Sequence, residues 1–128
     1  MNLLLDTCTF LWLTGQSFRL SKTARTLCAN PDNVLFLSAV SAWEIEVKYR
    51  PGRLDLDDPP EIYVPEQRLN HQIEVLPFDE ESALHHGRLP WIHKDPFDRM
   101  LICQALEHDL TLLTPDPEII AYAVKTTW

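Results

Sequence analysis

Four carboxylate residues occupy positions from which they could act together on one ligand. Asp6 directly follows an apolar run at residues 3–5, and Asp116 follows a second apolar run at residues 110–113. The carboxyl ends of parallel strands meet at one edge of an open α/β sheet, so both acids are expected at that edge. Each also precedes a predicted helix, and N-capping is the simpler alternative for either residue taken alone.

Glu44 lies within a predicted helix. The apolar residues Val40, Trp43 and Val47 recur at i, i+3 and i+7 and define the expected buried stripe. Glu44 falls at the edge of this stripe, where an unpaired carboxylate is costly. An ion pair with Lys48, four residues later, is the alternative that would explain its position without any ligand.

Asp98 lies in the first turn of a helix whose expected buried side carries Leu101, Ile102 and Ala105. Asp95, which precedes a proline, is better placed to cap this helix. A negative charge in the first turn also suits the helix dipole. Neither effect explains why Asp98 should face inward, so Asp98 is a further candidate for a shared site.

The four acids together predict metal-dependent chemistry. Close carboxylates repel one another and raise one another's pKa unless a cation neutralises them. Mg²⁺ and Mn²⁺ prefer oxygen ligands and often bind carboxylates and water. Such a cation assists reactions at phosphate groups. The expected chemistry is therefore phosphodiester hydrolysis, with Asp6, Glu44, Asp98 and Asp116 around the cation.

The apolar pattern predicts an α/β domain that positions these acids. Short strand-like runs alternate with helix-like stretches, which is typical of a mainly parallel sheet covered by helices. No internal repeat or long linker divides the chain, so one domain is expected over residues 1–128. Predicted strands are residues 3–5, 34–37, 73–76 and 110–113, with an edge strand at 124–127. Predicted helices are residues 7–13, 21–28, 38–49, 57–70, 79–86 and 95–108 and a short helix after Asp116, with N-caps at Ser21, Ser38 or Ser41, Asp79 and Asp95.

Composition narrows the class of protein. The chain has 128 residues, 45% hydrophobic and 23% charged, which suits one globular domain. No apolar run approaches the ~20 residues of a membrane-spanning helix, and the apolar N-terminus lacks the basic lead-in of a secretory signal. The three cysteines are widely spaced and odd in number, which predicts reduced thiols in a cytoplasmic protein. Neither Cys nor His lies at zinc-ligand spacing.

The net charge argues against a simple electrostatic nucleic-acid binder. Eleven Lys and Arg against nineteen acids give −8, whereas such binders present basic patches. Without the four candidate ligands the balance is still −4, so any nucleic-acid face must be local. Each group of candidate basic residues is also typical of a solvated helix surface. These groups are Arg19, Lys22 and Arg25, then Lys48, Arg50 and Arg53, then Arg88, Lys94 and Arg99.

Four short motifs, in this order and spacing, carry a family resemblance. The first two are Leu-Leu-Leu-Asp-Thr at residues 3–7 and Leu-Ser-Ala-Val-Ser-Ala-Trp-Glu-Ile-Glu-Val-Lys at residues 37–48. The others are His-Lys-Asp-Pro-Phe-Asp-Arg-Met-Leu-Ile-Cys-Gln-Ala at residues 93–105 and Leu-Leu-Thr-Pro-Asp-Pro at residues 112–117. From Asp6 to about Val124, the chain resembles a PIN domain, and more narrowly a VapC-type toxin ribonuclease of toxin–antitoxin systems.

The resemblance implies a PIN-like three-layer α/β/α fold and Mg²⁺- or Mn²⁺-dependent cleavage of single-stranded RNA. It implies that Asp6, Glu44, Asp98 and Asp116 are the catalytic and metal-binding quartet of the family. It also implies a homodimer and inhibition by a small VapB-like antitoxin.

Three further residues are auxiliary candidates, and two of them match positions of the family. Thr114 corresponds to a Ser or Thr near the last acid, Asp95 to a frequent auxiliary acid, and Thr7 stands beside the first acid. The second residue after the first Asp is often His in relatives, whereas this chain has Cys8. That departure changes no member of the quartet. The resemblance therefore does not imply which groups form the neighbouring wall of the site.

Three other functions are compatible with parts of this pattern. One is a PIN nuclease of RNA maturation or DNA flap cleavage outside any toxin system, which an upstream antitoxin reading frame would argue against. Another is a receiver-like phospho-acceptor domain with Lys125 near the last strand, although that fold keeps its acids at strand ends whereas Glu44 falls within a helix. The third is a catalytically inactive PIN scaffold, against which the complete quartet argues.

Overall fold

The computed structural model describes residues 1–128 as one parallel sheet with helices on both faces. The strands are β1 (Asn2–Leu5), β2 (Val34–Ser38), β3 (Ile73–Leu76), β4 (Thr111–Leu113) and β5 (Thr126–Thr127). The helices are α1 (Thr7–Gly15), α2 (Lys22–Ala29), α3 (Ala39–Tyr49), α4 (Pro60–Asn70), α5 (Glu80–His85), α6 (Pro96–Glu107) and α7 (Pro117–Ile120), with 3₁₀ turns at Ser17–Arg19 and His86–Arg88. The strand order is β3-β2-β1-β4-β5 and every pairing is parallel. The predicted α/β alternation is confirmed, and the predicted edge strand is the two-residue β5.

Successive side chains of β1 point to opposite faces of the sheet and build two cores. Leu3 and Leu5 pack in one cluster with Phe10 of α1, and Leu4 packs in the other with Leu101 of α6. All five side chains are fully buried, and burying each contributes about 1.5–3 kcal/mol. Helices α1, α2 and α4 cover one face, and α6 and α7 cover the other. The expected three-layer α/β/α architecture is therefore confirmed.

The two central strands end side by side at the carboxyl edge of the sheet. β1 pairs with β4 so that Leu5 lies opposite Leu113. The chain winds outward from β1 through β2 to β3 and then crosses to the other side of β1, so the winding reverses between β1 and β4. Ligand crevices in open α/β sheets lie at such a reversal. Asp6 and Thr114 are the first residues beyond these two strand ends.

Most of the predicted helix caps are present. Ser21 accepts from Ala24 N, Ser38 rather than Ser41 caps α3, and Asp95 caps α6. Asp79 occupies the predicted N-cap position of α5, but its side chain makes no capping hydrogen bond. Asp79 Oδ2 instead lies 3.1 Å from Nε2 of His108, the C-cap residue of α6.

The strand order rules out the receiver-like alternative. Receiver domains have the order 2-1-3-4-5, whereas β1 lies at the centre of this sheet between β2 and β4. Lys125, the proposed receiver lysine, forms a surface ion pair with Asp109 at 2.7 Å.

No helix in the chain is both long enough and apolar enough to cross a membrane.

Candidate active site

A cavity of about 280 Å³ opens at the carboxyl edge of the sheet, and five carboxylate residues line it. Asp6 reaches it from the end of β1, Glu44 from α3, and Asp116 from the loop after β4. Asp95 and Asp98 reach it from the start of α6. The structure thus brings all four predicted ligands to one cavity, although they are up to 110 positions apart in the chain.

A larger cavity of about 330 Å³ adjoins the first one and shares Leu11 and Leu54 with it. Its charged lining residues, Arg19, Asp55 and Asp57, are all exposed. Exposed charges remain hydrated. Buried carboxylates instead have perturbed pKa values, which are typical of functional sites. The smaller, acidic cavity is therefore the candidate active site.

Asp6 is buried at the junction of β1 and α1. It accepts hydrogen bonds from Thr7 N at 2.8 Å, from Thr114 Oγ1 at 2.7 Å and from Cys8 Sγ at 3.4 Å. Burial raises the pKa of this carboxyl, and the three hydrogen bonds only partly oppose that effect. Asp6 does cap α1, so its capping role and its place in the cavity coexist.

Glu44 is also buried, and it is held from two sides. Thr7 Oγ1 donates to Glu44 Oε1 at 2.6 Å, and Lys48 Nζ donates to Glu44 Oε2 at 2.5 Å. Burial lowers the pKa of Lys48, but its hydrogen bond to Glu44 and the nearby negative charges outweigh that effect and raise the pKa. The expected ion pair with Lys48 therefore exists, and it lies inside the candidate site, since Lys48 also lines the cavity.

The buried face of α3 differs from the predicted stripe. Trp43 is 54% exposed and Val47 is 45% exposed, whereas Ser41 and Ile45 are fully buried. Trp43 packs edge-on against the Phe97 ring, with centroids 5.3 Å apart, instead of entering a core. Val40 is buried as predicted. The prediction for Trp43 and Val47 was wrong, because polar contacts beneath α3, rather than apolar residues alone, decide which face turns inward.

Asp98 lies on the buried face of α6, as predicted from its spacing to Leu101, Ile102 and Ala105. The pKa of Asp98 is raised to about 7, chiefly by burial and also by the negative charges of Asp6, Asp95 and Asp116, against a hydrogen bond from His93 that lowers it. A carboxyl that is hard to ionise in the free protein is one that a bound cation would stabilise.

Asp116, Asp95 and Thr114 combine capping with a place at the cavity or beside it. Asp116 Oδ1 accepts from Glu118 N at 2.9 Å and caps α7. Asp95 Oδ1 caps α6 through Phe97 N at 2.9 Å and Asp98 N at 3.1 Å. In both acids the capping bonds use one oxygen and leave the other free of protein donors. Thr114 Oγ1 donates to Asp6 and accepts from Asp116 N at 3.1 Å, so it ties the first acid to the last.

The donor set fits a hard divalent cation. Against five carboxylates the cavity has only two basic residues, Lys48 and Arg53, both exposed. Carboxylate oxygens are the ligands that Mg²⁺ and Mn²⁺ prefer. Burial and the charge of Asp6 raise the pKa of the Cys8 thiol, so Cys8 stays protonated and offers no thiolate ligand.

Two residues in this region differ from the sequence-based expectation. No sequence pattern indicates His93, yet its ring nitrogen lies within 4.8 Å of ligand atoms of Asp98 and Glu118, a more compact group than any three of the four predicted ligands form. Arg99 was named as a candidate nucleic-acid contact, but it is only 1% exposed. Its guanidinium is covered by the Trp91 ring, whose centre lies 4.0 Å away.

Comparison with known proteins gives a family match along almost the whole chain. The model of the family described as the PIN domain matches residues 3–125. Ribonuclease VapC16 of Mycobacterium tuberculosis is 34% identical over 61 residues, which is 48% of this chain and 43% of that protein. The chain thus aligns with less than half of the length of this relative.

Solved structures with the same fold include VapBC complexes and FitAcB. VapBC2 of Rickettsia felis, bound to promoter DNA, gives a TM-score of 0.73 at 12% identity over 99% of this chain and 98% of the other. DNA-bound VapBC of Salmonella typhimurium gives 0.67 at 20% identity over 99% and 97%. FitAcB of Neisseria gonorrhoeae gives 0.62 at 21% identity over 98% and 96%. At these identities the likeness concerns the fold.

Proposed function

Because the chain belongs to the PIN domain family, we propose that it is a Mg²⁺- or Mn²⁺-dependent endoribonuclease that cleaves single-stranded regions of RNA. The observation that carries this proposal is the cavity at the carboxyl edge, which Asp6, Glu44, Asp98 and Asp116 all line. Three of these acids are buried, and close carboxylates repel one another. Helix capping and the ion pair with Lys48 account for single acids but not for their meeting in one cavity. A cation-dependent reaction on a phosphate explains it.

The four acids are the residues that would hold the cation. When bound, Mg²⁺ or Mn²⁺ supplies Lewis-acid stabilisation of the charge that develops on the scissile phosphate. Thr7 and Thr114 orient Glu44 and Asp6 through short hydroxyl hydrogen bonds. Asp95 acts beside them as an auxiliary acid that also starts α6.

The basic residues at the cavity supply local attraction for RNA despite the net charge of −8. Lys48 and Arg53 line the cavity and are exposed, so both can reach a phosphate that approaches the acids. Such contacts bind the backbone without reading its bases. The set of bases that the nuclease prefers must therefore depend on other contacts.

We further propose that this ribonuclease is the toxin of a toxin–antitoxin module and acts in the cytoplasm as a homodimer. The partial likeness to Ribonuclease VapC16 and the shared fold with VapBC complexes support this. A cognate VapB-like antitoxin would keep the toxin inactive. An Arg or Lys of the antitoxin entering the acidic cavity would offset its negative charge.

Sequencing of RNA ends after brief expression tests the nuclease proposal. Wild-type protein should generate new ends at defined single-stranded positions, and Asp6→Asn should generate none. Asp109→Asn is the matched control, because it makes the same charge change at an exposed acid outside the cavity. Identical RNA ends from wild type and Asp6→Asn would refute the proposal.

Co-expression tests the toxin assignment separately. The chain alone should arrest growth, and the product of the reading frame directly upstream should relieve the arrest and co-purify with it. A harmless wild-type chain with no co-purifying neighbour would refute the toxin assignment. Cleavage of flap DNA in place of RNA by the same protein would favour a DNA-processing PIN nuclease instead.

A further inference from the structure

The carboxylate of Asp98 differs from the other acids of the cavity in how it is held. Its only donor within the protein is the ring of His93, whose Nε2 lies 3.0 Å from Asp98 Oδ2. Both side chains are nearly buried, at 11% exposure for Asp98 and 8% for His93. Oδ2 is therefore engaged, and Oδ1 is the oxygen without a protein partner.

The other ring nitrogen of His93 is fixed by Tyr122. His93 Nδ1 lies 2.8 Å from Tyr122 Oη. The same phenolic oxygen accepts from Arg99 Nη1 at 2.9 Å and from the backbone N–H of His93 at 3.2 Å. A phenol has one proton and accepts two hydrogen bonds. Because both of its acceptor positions receive groups that can only donate, its proton must point to Nδ1.

This arrangement selects one tautomer of the neutral imidazole. With Nδ1 accepting from Tyr122, the ring proton lies on Nε2 and points at Asp98. The other tautomer would face the phenol proton with an N–H and would present a lone pair to a carboxylate. Both contacts would then be repulsive.

Arg99 anchors the loop that carries His93. Its guanidinium donates to Pro90 O at 2.7 Å and to Leu89 O at 3.3 Å, and it stacks on Trp91. The same guanidinium holds Tyr122 through the 2.9 Å hydrogen bond. Arg99 directly follows Asp98 in α6. The same helix therefore carries both Asp98 and the arginine that anchors the His93 loop and Tyr122.

We propose that His93, set in its Nε2–H tautomer by Tyr122 and Arg99, is a positioning residue that holds Asp98 through Oδ2 and leaves Oδ1 for the cation. This inference rests on the proposed metal-dependent nuclease. Partners that orient a metal-binding residue from behind typically change metal affinity or activity by about 10–100-fold when they are removed.

The alternative role for His93 is that of a direct ligand, since its ring lies close to both Asp98 and Glu118. As a ligand, Nε2 would have to be unprotonated and would give up its hydrogen bond to Asp98. The protonation of this one nitrogen therefore separates the two roles.

Nitrogen NMR of the full-length chain labelled with ¹⁵N-histidine measures that protonation. The His93 ring signals are assigned by their loss in His93→Gln. At pH 8, wild-type His93 should show a protonated Nε2 and an unprotonated Nδ1, both without metal and with saturating Mg²⁺. In Tyr122→Phe the two tautomers should become mixed. An unprotonated Nε2 in either wild-type sample would overturn the proposal.

Metal binding and cleavage provide the second arm. Gln at position 93 can still donate an amide N–H to Asp98, whereas Phe cannot. By calorimetry, His93→Phe should weaken Mn²⁺ binding about 10–100-fold, and His93→Gln should weaken it only a few-fold, with cleavage following the same order. His108→Gln is the matched control, because His108 pairs with Asp79 outside the cavity. Equal losses in the Phe and Gln variants, or none in either, would overturn the positioning role.

The two arms also separate this inference from the proposed function. If wild-type protein binds no Mn²⁺ and cleaves no RNA, the nuclease proposal fails while the His93 tautomer is still measurable. If wild-type protein cleaves RNA and His93→Phe cleaves equally well, only the positioning role fails.

Discussion

Replacing Asp98 with Asn should stabilise the metal-free protein. Burial and neighbouring charges raise the pKa of Asp98 from 3.8 to about 7. The difference corresponds to about 4 kcal/mol between its protonation states. Asn keeps the shape and can still accept from His93, but it carries no charge. We therefore expect Asp98→Asn to raise the free energy of unfolding by about 2–4 kcal/mol above pH 7.

The effect should depend on pH in a defined direction. Because the pKa is higher in the folded protein, the favourable contribution of Asp98 is fully present below pH 3.8 and is lost as the pH rises toward 7. The gain from Asp98→Asn should therefore be small near pH 4.5 and largest at pH 8. At roughly 3 °C per kcal/mol, the melting temperature should rise by about 6–12 °C at pH 8.

Thermal unfolding followed by circular dichroism, in chelator and across this pH range, measures the effect. Added Mg²⁺ should then stabilise wild type, by about 2.7 kcal/mol at a hundred times its dissociation constant, and should stabilise Asp98→Asn much less. Asp109→Asn is the matched control, because it makes the same charge change at an exposed acid outside the cavity. Equal melting temperatures at pH 8, or a difference that does not shrink toward pH 4.5, would refute the reasoning.

Three further predictions concern residues around the cavity. Asp95→Ala should lose about 0.5–2 kcal/mol of stability by removing a helix cap, whereas Asp95→Asn should be nearly neutral in denaturant unfolding. Thr114→Val should lose about 1–3 kcal/mol and reduce cleavage, since it strips a hydroxyl donor from buried Asp6, and Thr114→Ser should restore both. Lys48→Gln should tighten Mg²⁺ binding several-fold in calorimetry, because Lys48 competes for Glu44. Lys125→Gln, outside the cavity, should leave that affinity unchanged.

The sequence predicted those parts of the fold and site that depend on local order. Apolar runs ending in Asp6 and before Asp116 indicated strand ends, and parallel strands bring such ends to one edge. The spacing of Asp98 to three apolar residues indicated its inward direction, because α6 is buried mainly by apolar contacts. These predictions needed no knowledge of distant partners.

Other features depended on contacts between distant segments and were not predictable from periodicity. Ser41 is fully buried and lies 2.9 Å from Thr7 Oγ1, while Trp43 on the same helix is exposed. Hydrophobic spacing assigns these two residues to the opposite environments. The hydrogen bond between Tyr122 and His93 joins residues 29 positions apart. His93 lies in a loop without hydrophobic periodicity, so no sequence pattern predicts this contact.

Cleavage of a single-stranded RNA by metal-stripped protein tests the central claim most directly. The claim is that Asp6, Glu44, Asp98 and Asp116 together hold a divalent cation that is required for phosphodiester hydrolysis. Cleavage should be absent in excess chelator, should return when Mg²⁺ or Mn²⁺ is added, and should stay absent in Asp98→Asn at the same metal concentration. Full cleavage by wild-type protein in excess chelator, or normal metal-restored cleavage by Asp98→Asn, would contradict the claim.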